Sequence, residues 1–138
     1  MTKKDCSHPA SDDPKREKRV LSLMSKWSKI LGLTSWEIKL YFVDDLGTDE
    51  ASGGQKLAEI VNLYPYHRAS LGVCREMYDH IDKEEEEGMV IHELLHILQA
   101  PLAATLDDCV PAKNKGEVGV KIEEITDWFM VILQRGGW

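Results

Sequence analysis

The sequence predicts an α+β fold in which one amphipathic helix precedes three short strands and two further helices. Three observations point to it. Apolar residues recur at helical spacing from Val20 to Leu31, and they alternate over Trp36–Val43 and again over Ala69–Cys74. Helical periodicity then returns after Asp82 and once more after Val118. Strands grouped between helices, rather than alternating with them, favour an α+β domain. With 138 residues and 43% hydrophobic content the chain suits one domain with a modest core and is too short for two.

Residues 1–13 mix Lys, Ser, Asp and Pro without periodicity and are expected to form a disordered tail, leaving a single domain over 14–138. Asp13 before Pro14 reads as a capping residue followed by proline at the first helical position. Val20, Leu23, Met24, Trp27, Ile30 and Leu31 then mark the buried stripe of a helix that stops at Gly32. Trp36, Ile38, Leu40 and Phe42 alternate with Glu37, Lys39, Tyr41 and Val43, as in a half-buried strand. Asp44 to Gln55 carries Gly47, Ser52, Gly53 and Gly54 and reads as a loop. A second extended run covers Leu57–Tyr64. After the turn at Pro65-Tyr66, Ala69, Leu71 and Val73 form a third strand close enough for an antiparallel hairpin.

From about Asp82 a helix is expected, charged over Lys83–Glu87, mostly apolar over Met89–Leu98 and stopped by Pro101. Acids at its start suit the positive end of the helix dipole, so Glu84 to Glu87 read as a solvated first turn. Residues 102–116 are less regular. A last helix is expected over about Val118–Gln134, with Ile122, Ile125, Phe129 and Ile132 on one stripe and Gly136-Gly137 beyond it.

Composition excludes several classes of function. Lys and Arg number 17 against 24 for Asp and Glu, a formal charge of −7 with no basic cluster, so nucleic acid is not an expected partner. No apolar run approaches the roughly 20 residues of a membrane span, and Met1–Cys6 runs into polar sequence where a signal peptide would turn apolar. The expectation is a cytoplasmic protein without a membrane partner. Cys6, Cys74 and Cys109 are too few and too widely spaced for a disulfide framework or a cysteine-based zinc site.

The chemistry lies in His92-Glu93-Leu94-Leu95-His96. Two histidines four apart on a helix project from one face and can share an ion, which is half of a zinc site, and Glu93 stands beside them. A chain of this composition carries the pattern by chance in roughly one or two cases in a hundred, so context has to support it. Here the match falls on an expected helix whose flanks, Val90, Ile91, Ile97 and Leu98, are apolar enough to bury it. Catalytic zinc takes three protein ligands and water, so a third ligand must come from elsewhere. Glu93 is left to take a proton from zinc-activated water and pass it to a leaving amine, as general base and then acid.

No histidine follows His96, so the downstream ligand is expected to be a carboxylate: Asp107, Asp108, Glu117, Glu123, Glu124 or Asp127. On the last helix Glu123, Thr126, Asp127 and Met130 share a face, while Glu124 points about 100° away. Glu123 is therefore the favoured third metal ligand. Asp127, one turn on, can accept a hydrogen bond from a ligating imidazole.

His92–His96 followed by Glu123-Glu124-Ile125-Thr126-Asp127 resembles the gluzincin metallopeptidases, and the element order from Trp27 to Leu133 resembles the minimal members called minigluzincins. The resemblance covers about three quarters of the chain, with specificity only in the two short motifs. It implies a zincin-like fold, a zinc cofactor (Zn2+) on His92, His96 and Glu123, Glu93 as the catalytic residue, Asp127 behind a zinc-bound histidine, and a protein or peptide substrate. The N-terminal tail and the stretch Asp107–Gly116 depart from the family pattern, so substrate preference and latency do not carry over.

In zincins a strand near the cleft pairs with extended substrate, and the hairpin Leu57–Val73 is the corresponding segment here. Tyr64, Tyr66 and His67 at its turn could reach a developing oxyanion, but a packed or exposed turn residue is the favoured reading of each, and none is assigned a catalytic role. Cys6 or His8 could reach a zinc and hold the protein latent, against the simpler expectation of a disordered tail. The expected activity is zinc-dependent peptide-bond hydrolysis. The alternatives are a regulatory protease with one specific protein substrate, and a catalytically silent zinc-binding module.

Overall fold

The structure, a computed structural model, describes residues 14–48 and 53–136; the expected tail with Cys6, His8 and Asp13, and Trp138 at the other end, lie outside the described residues. Helix α1, Pro14–Ile30, buries Val20, Met24 and Trp27, which the four- and three-residue spacing puts on one side. Gly32 follows at φ +74°, in the left-handed region that a side chain disfavours, and turns the chain towards the sheet.

Three strands, β1 (Glu37–Val43), β2 (Ala58–Leu63) and β3 (Arg68–Cys74), form one sheet in the order β1-β3-β2. β2 and β3 make the expected antiparallel hairpin, whereas β1 runs parallel to β3 on its other side. The register pairs Leu40 with Leu71 and Phe42 with Val73, so the alternating apolar residues of both strands fall on the core face. Cys74 N–H donates to Leu57 C=O at 2.8 Å, which puts the hydrogen-bonded pairs at the odd-numbered positions of β2. The N–H and C=O groups of Ala58, Ile60 and Asn62 consequently point away from β3, along the outer edge of the sheet.

After the short helix α2 (Arg75–Tyr78), α3 spans Lys83–Leu98 and begins with a complete capping box. The Asp82 side chain accepts from Glu85 N–H at 2.8 Å, and Glu85 Oε1 accepts from Asp82 N–H at 3.3 Å. α3 touches α1, β2 and α5, and buries Val90, Ile91, Leu94 and Ile97 almost completely. Its acidic start is only partly solvated, contrary to the reading of Glu84–Glu87 as a solvated turn. Glu86 is buried, with Arg19 Nε 3.5 Å away, and Glu87 accepts from Trp27 Nε1 at 2.9 Å and Lys26 Nζ at 3.1 Å. Both acids tie α3 to α1, Glu86 through Arg19 and Glu87 by satisfying the indole N–H of a core tryptophan.

One further expectation is corrected, and the structure adds which face of the last helix is packed. Pro101 does not end helical structure: α3 stops at Leu98, and α4 (Ala100–Cys109) starts at once with Pro101 in its first turn, where the missing N–H costs nothing. The last helix, α5 (Lys115–Gln134), follows a 3-10 turn at Ala112–Asn114. Its apolar stripe does not face the core, since Ile125, Phe129 and Ile132 are all exposed. α5 instead packs on α3 through Thr126, Met130 and Gln134. Gly88 lies beneath this contact, where a Cβ would come 3.2 Å from Gln134 Oε1 and 3.3 Å from Met130 Sδ. A glycine thus lets the less apolar face of α5 approach closely.

Among the described residues no single helix is long and apolar enough to cross a membrane.

Candidate metal centre

α3 and α5 together build the site. His92 and His96, one turn apart on α3, turn their rings towards α5 with centroids 4.9 Å apart and planes at 74°. Their Nε2 atoms are 3.2 Å apart. From α5, Glu123 reaches both: Oε2 lies 3.0 Å from His92 Nε2 and Oε1 3.2 Å from His96 Nε2. Tetrahedral donors held at bonds of about 2.0–2.1 Å stand about 3.3 Å from one another, so this group has the spacing and the chemistry that suit zinc. Among the described residues it is the one cluster of three or more His, Cys, Asp or Glu with ligand atoms this close.

The other expected residues separate clearly. Glu124 turns to solvent and pairs with Lys121 at 3.6 Å, and Asp107 pairs with Lys115 at 3.2 Å. Neither these nor Asp108 and Glu117 joins the cluster. Asp127 Oδ1 is 2.8 Å from His92 Nδ1, behind the ring as seen from Glu123.

Glu93 projects from α3 towards the sheet, buried, with Oε2 3.8 Å from His92 Nε2 and its carboxylate held by Ile60 N–H on the edge of β2. Burial pushes its pKa up to about 7 against the opposing pull of His92 and His96. For His92 burial works against the charged form, but the hydrogen bond with Glu123 and the carboxylates of Glu93, Glu123 and Asp127 outweigh it, raising the pKa to about 9. Hydrogen bonds from His92 and His96 hold Glu123 far below the usual carboxylate range.

One polar tie connects the helices beside this cluster. Thr126, fully buried one turn from Glu123, accepts from Gln99 Nε2 at 3.0 Å and donates to Ile122 C=O at 2.7 Å. Gln99, three residues after His96, is the C-cap of α3, and its Nε2 also reaches Leu95 C=O at 3.3 Å. The sequence carries one signal for this pair, a threonine on the ligand face of the last helix.

A cleft of about 1230 Å³ opens over the cluster, bounded by β2, α3, α4 and α5. His92, Glu93, His96 and Glu123 line it, as do Ile60 and Tyr64. Tyr66 and His67 do not. Tyr66 is exposed, and His67 stacks on Trp36 with its Nδ1 2.8 Å from Ser35 Oγ. No family model matches the chain, and no curated protein or solved structure matches it either.

Proposed function

We propose that this protein is a zinc-dependent metallopeptidase of the minimal gluzincin type, with a zincin-like fold, in which His92, His96 and Glu123 hold the ion. The observation carrying this reading is the convergence of two imidazoles and one carboxylate from separate helices within 3.0–3.2 Å, at the floor of a cleft and beside a buried carboxyl group. When bound, zinc supplies Lewis acidity towards a peptide carbonyl and makes water nucleophilic near neutral pH.

The chain's own residues do the rest. Glu93, held by Ile60 N–H and facing the cleft, takes the proton from the attacking water and returns it to the leaving nitrogen. Asp127 accepts from His92 Nδ1–H, which leaves Nε2 as the ligating nitrogen. The outward N–H and C=O groups of Ala58 and Asn62 flank Glu93 and supply main-chain pairing to an extended peptide laid along β2. A protein or peptide is thus the substrate class.

The test is Glu93→Gln, assayed on casein and on fluorogenic peptides after zinc loading. Lost cleavage with zinc retained supports a peptidase. Cleavage that persists in the variant, or a wild-type chain that binds zinc without cleaving, contradicts the proposed role of Glu93 or the activity itself.

A further inference from the structure

The feature of this molecule that the metal centre leaves unexplained is the outer face of α5. Ile125, Trp128, Phe129 and Ile132 stand at i, i+3, i+4 and i+7, so they form one continuous stripe, turned away from α3 and from Glu123. They are 43%, 68%, 48% and 52% exposed. We propose that this stripe is a dimer interface, on which two copies of the chain pair their α5 helices antiparallel about a twofold axis lying between Ile125 and Trp128.

Area supports a second copy. At 150–250 Å² for each large side chain, the four exposures leave roughly 400 Å² of apolar surface per copy. A twofold contact buries it twice, and with about 60% of an interface apolar the total comes to roughly 1,300 Å². That lies at the lower end of specific interfaces, which bury about 1,200–2,000 Å², and suits a reversible, concentration-dependent dimer.

Self-complementarity supports the antiparallel arrangement. With the axis so placed, Ile125 of each copy meets Trp128 of the other, and Lys121 lays its aliphatic stem against Ile132. The ends then match in charge. Glu117 in the first turn of one α5 comes to Arg135 just past the last turn of the other, at both ends of the seam, and the helix dipoles oppose. A parallel pair would set Glu117 against Glu117 and Arg135 against Arg135.

A bilayer fits the stripe less well. Its charged neighbours Glu117, Lys121, Glu124 and Arg135 sum to zero on a chain of net charge −7, whereas helices that lie on membranes carry a basic rim. Because Glu123 and Asp127 lie on the opposite side of α5, pairing leaves the cleft open, and the inference stands independently of the proposed peptidase activity.

The experiment is sedimentation equilibrium of the full chain across the micromolar range. The expected result is a mass rising from 15.7 kDa towards twice that value with concentration. Trp128→Glu should stay monomeric while keeping the wild-type circular dichroism. Glu117→Lys and Arg135→Glu should each weaken dimerisation about tenfold, and the double charge reversal should restore it. A wild-type chain that is monomeric throughout overturns the proposal, as does a folded Trp128→Glu protein that still dimerises. Failure of the charge reversal to rescue, or adsorption of the wild type but not Trp128→Glu to phosphatidylcholine–phosphatidylglycerol vesicles, also overturns it.

Discussion

Asp127 Oδ1 lies 2.8 Å from Nδ1 of His92, on the opposite edge of the imidazole from Glu123. One ring nitrogen is thereby committed to a carboxylate on α5, and the other faces the cleft. Because α5 also carries Glu123, a single helix supplies both the carboxylate of the cluster and the group that orients its first histidine.

Asp127→Asn keeps the size of the side chain but replaces the carboxylate acceptor with an amide. Partners behind ligating histidines typically account for 10- to 100-fold in metal affinity, and a loss of that order is expected here. Zinc competition with a chromophoric chelator measures it. Asp127→Asn affinity equal to wild type would remove Asp127 from the site.

Acidity gives a second expectation, for the metal-free chain. His92 is raised from 6.5 to about 9, so its contribution to stability is complete below pH 6.5 and is lost as pH rises through about 9. Glu123 is lowered from 4.5, so its contribution is complete above pH 4.5 and is lost as pH falls through its folded pKa. Glu93, raised from 4.5 to about 7, contributes below pH 4.5 and loses that contribution as pH rises through about 7. Melting in the presence of chelator should therefore fall from about pH 4.5 to about pH 9, first through Glu93 and then through His92. Zinc affinity should rise between pH 6.5 and about 9, because ligation needs a neutral imidazole and releases the proton. Melting curves and calorimetry in buffers of different ionisation enthalpy read both trends.

The tie between Gln99 and Thr126 should set the separation of the two helices. Thr126→Val retains the shape but removes one of the two acceptors of the half-buried Gln99 amide, leaving Leu95 C=O, at a cost of about 0.5–1.5 kcal/mol. Zinc affinity should fall with it. In the pair Thr126→Val with Gln99→Leu, which removes both polar groups, stability should recover further than zinc affinity does. Urea melts alongside the zinc competition distinguish the two effects.

Local rules made the strands and the start of α3 legible. Alternation over Leu40–Phe42 and Ala69–Val73, and an Asp82 cap with Glu85 three residues on, depend on residues close in sequence. The neighbourhood of His92, His96, Glu123 and Asp127 was legible for a related reason, since helical spacing alone puts each pair on one face. What remained hidden depends on contacts between distant segments. Pro101 looks the same whether a helix stops there or a new one starts. Periodicity located the apolar stripe of α5, but which face meets α3 depends on contacts with a distant helix, Met130 and Gln134 over Gly88 among them. The partnership of Glu87 with Trp27 spans 60 residues and has no local signal.

The central claim is that two imidazoles of α3 and one carboxylate of α5 hold a single zinc ion. Its most direct test is zinc stoichiometry and affinity of the wild type beside Glu123→Ala and Glu124→Ala. One tightly held ion in the wild type and in Glu124→Ala, with affinity reduced about 100-fold or more in Glu123→Ala, is the expected result. A wild-type chain that takes up no zinc, or a Glu123→Ala chain that holds it as tightly as the wild type, would contradict the claim.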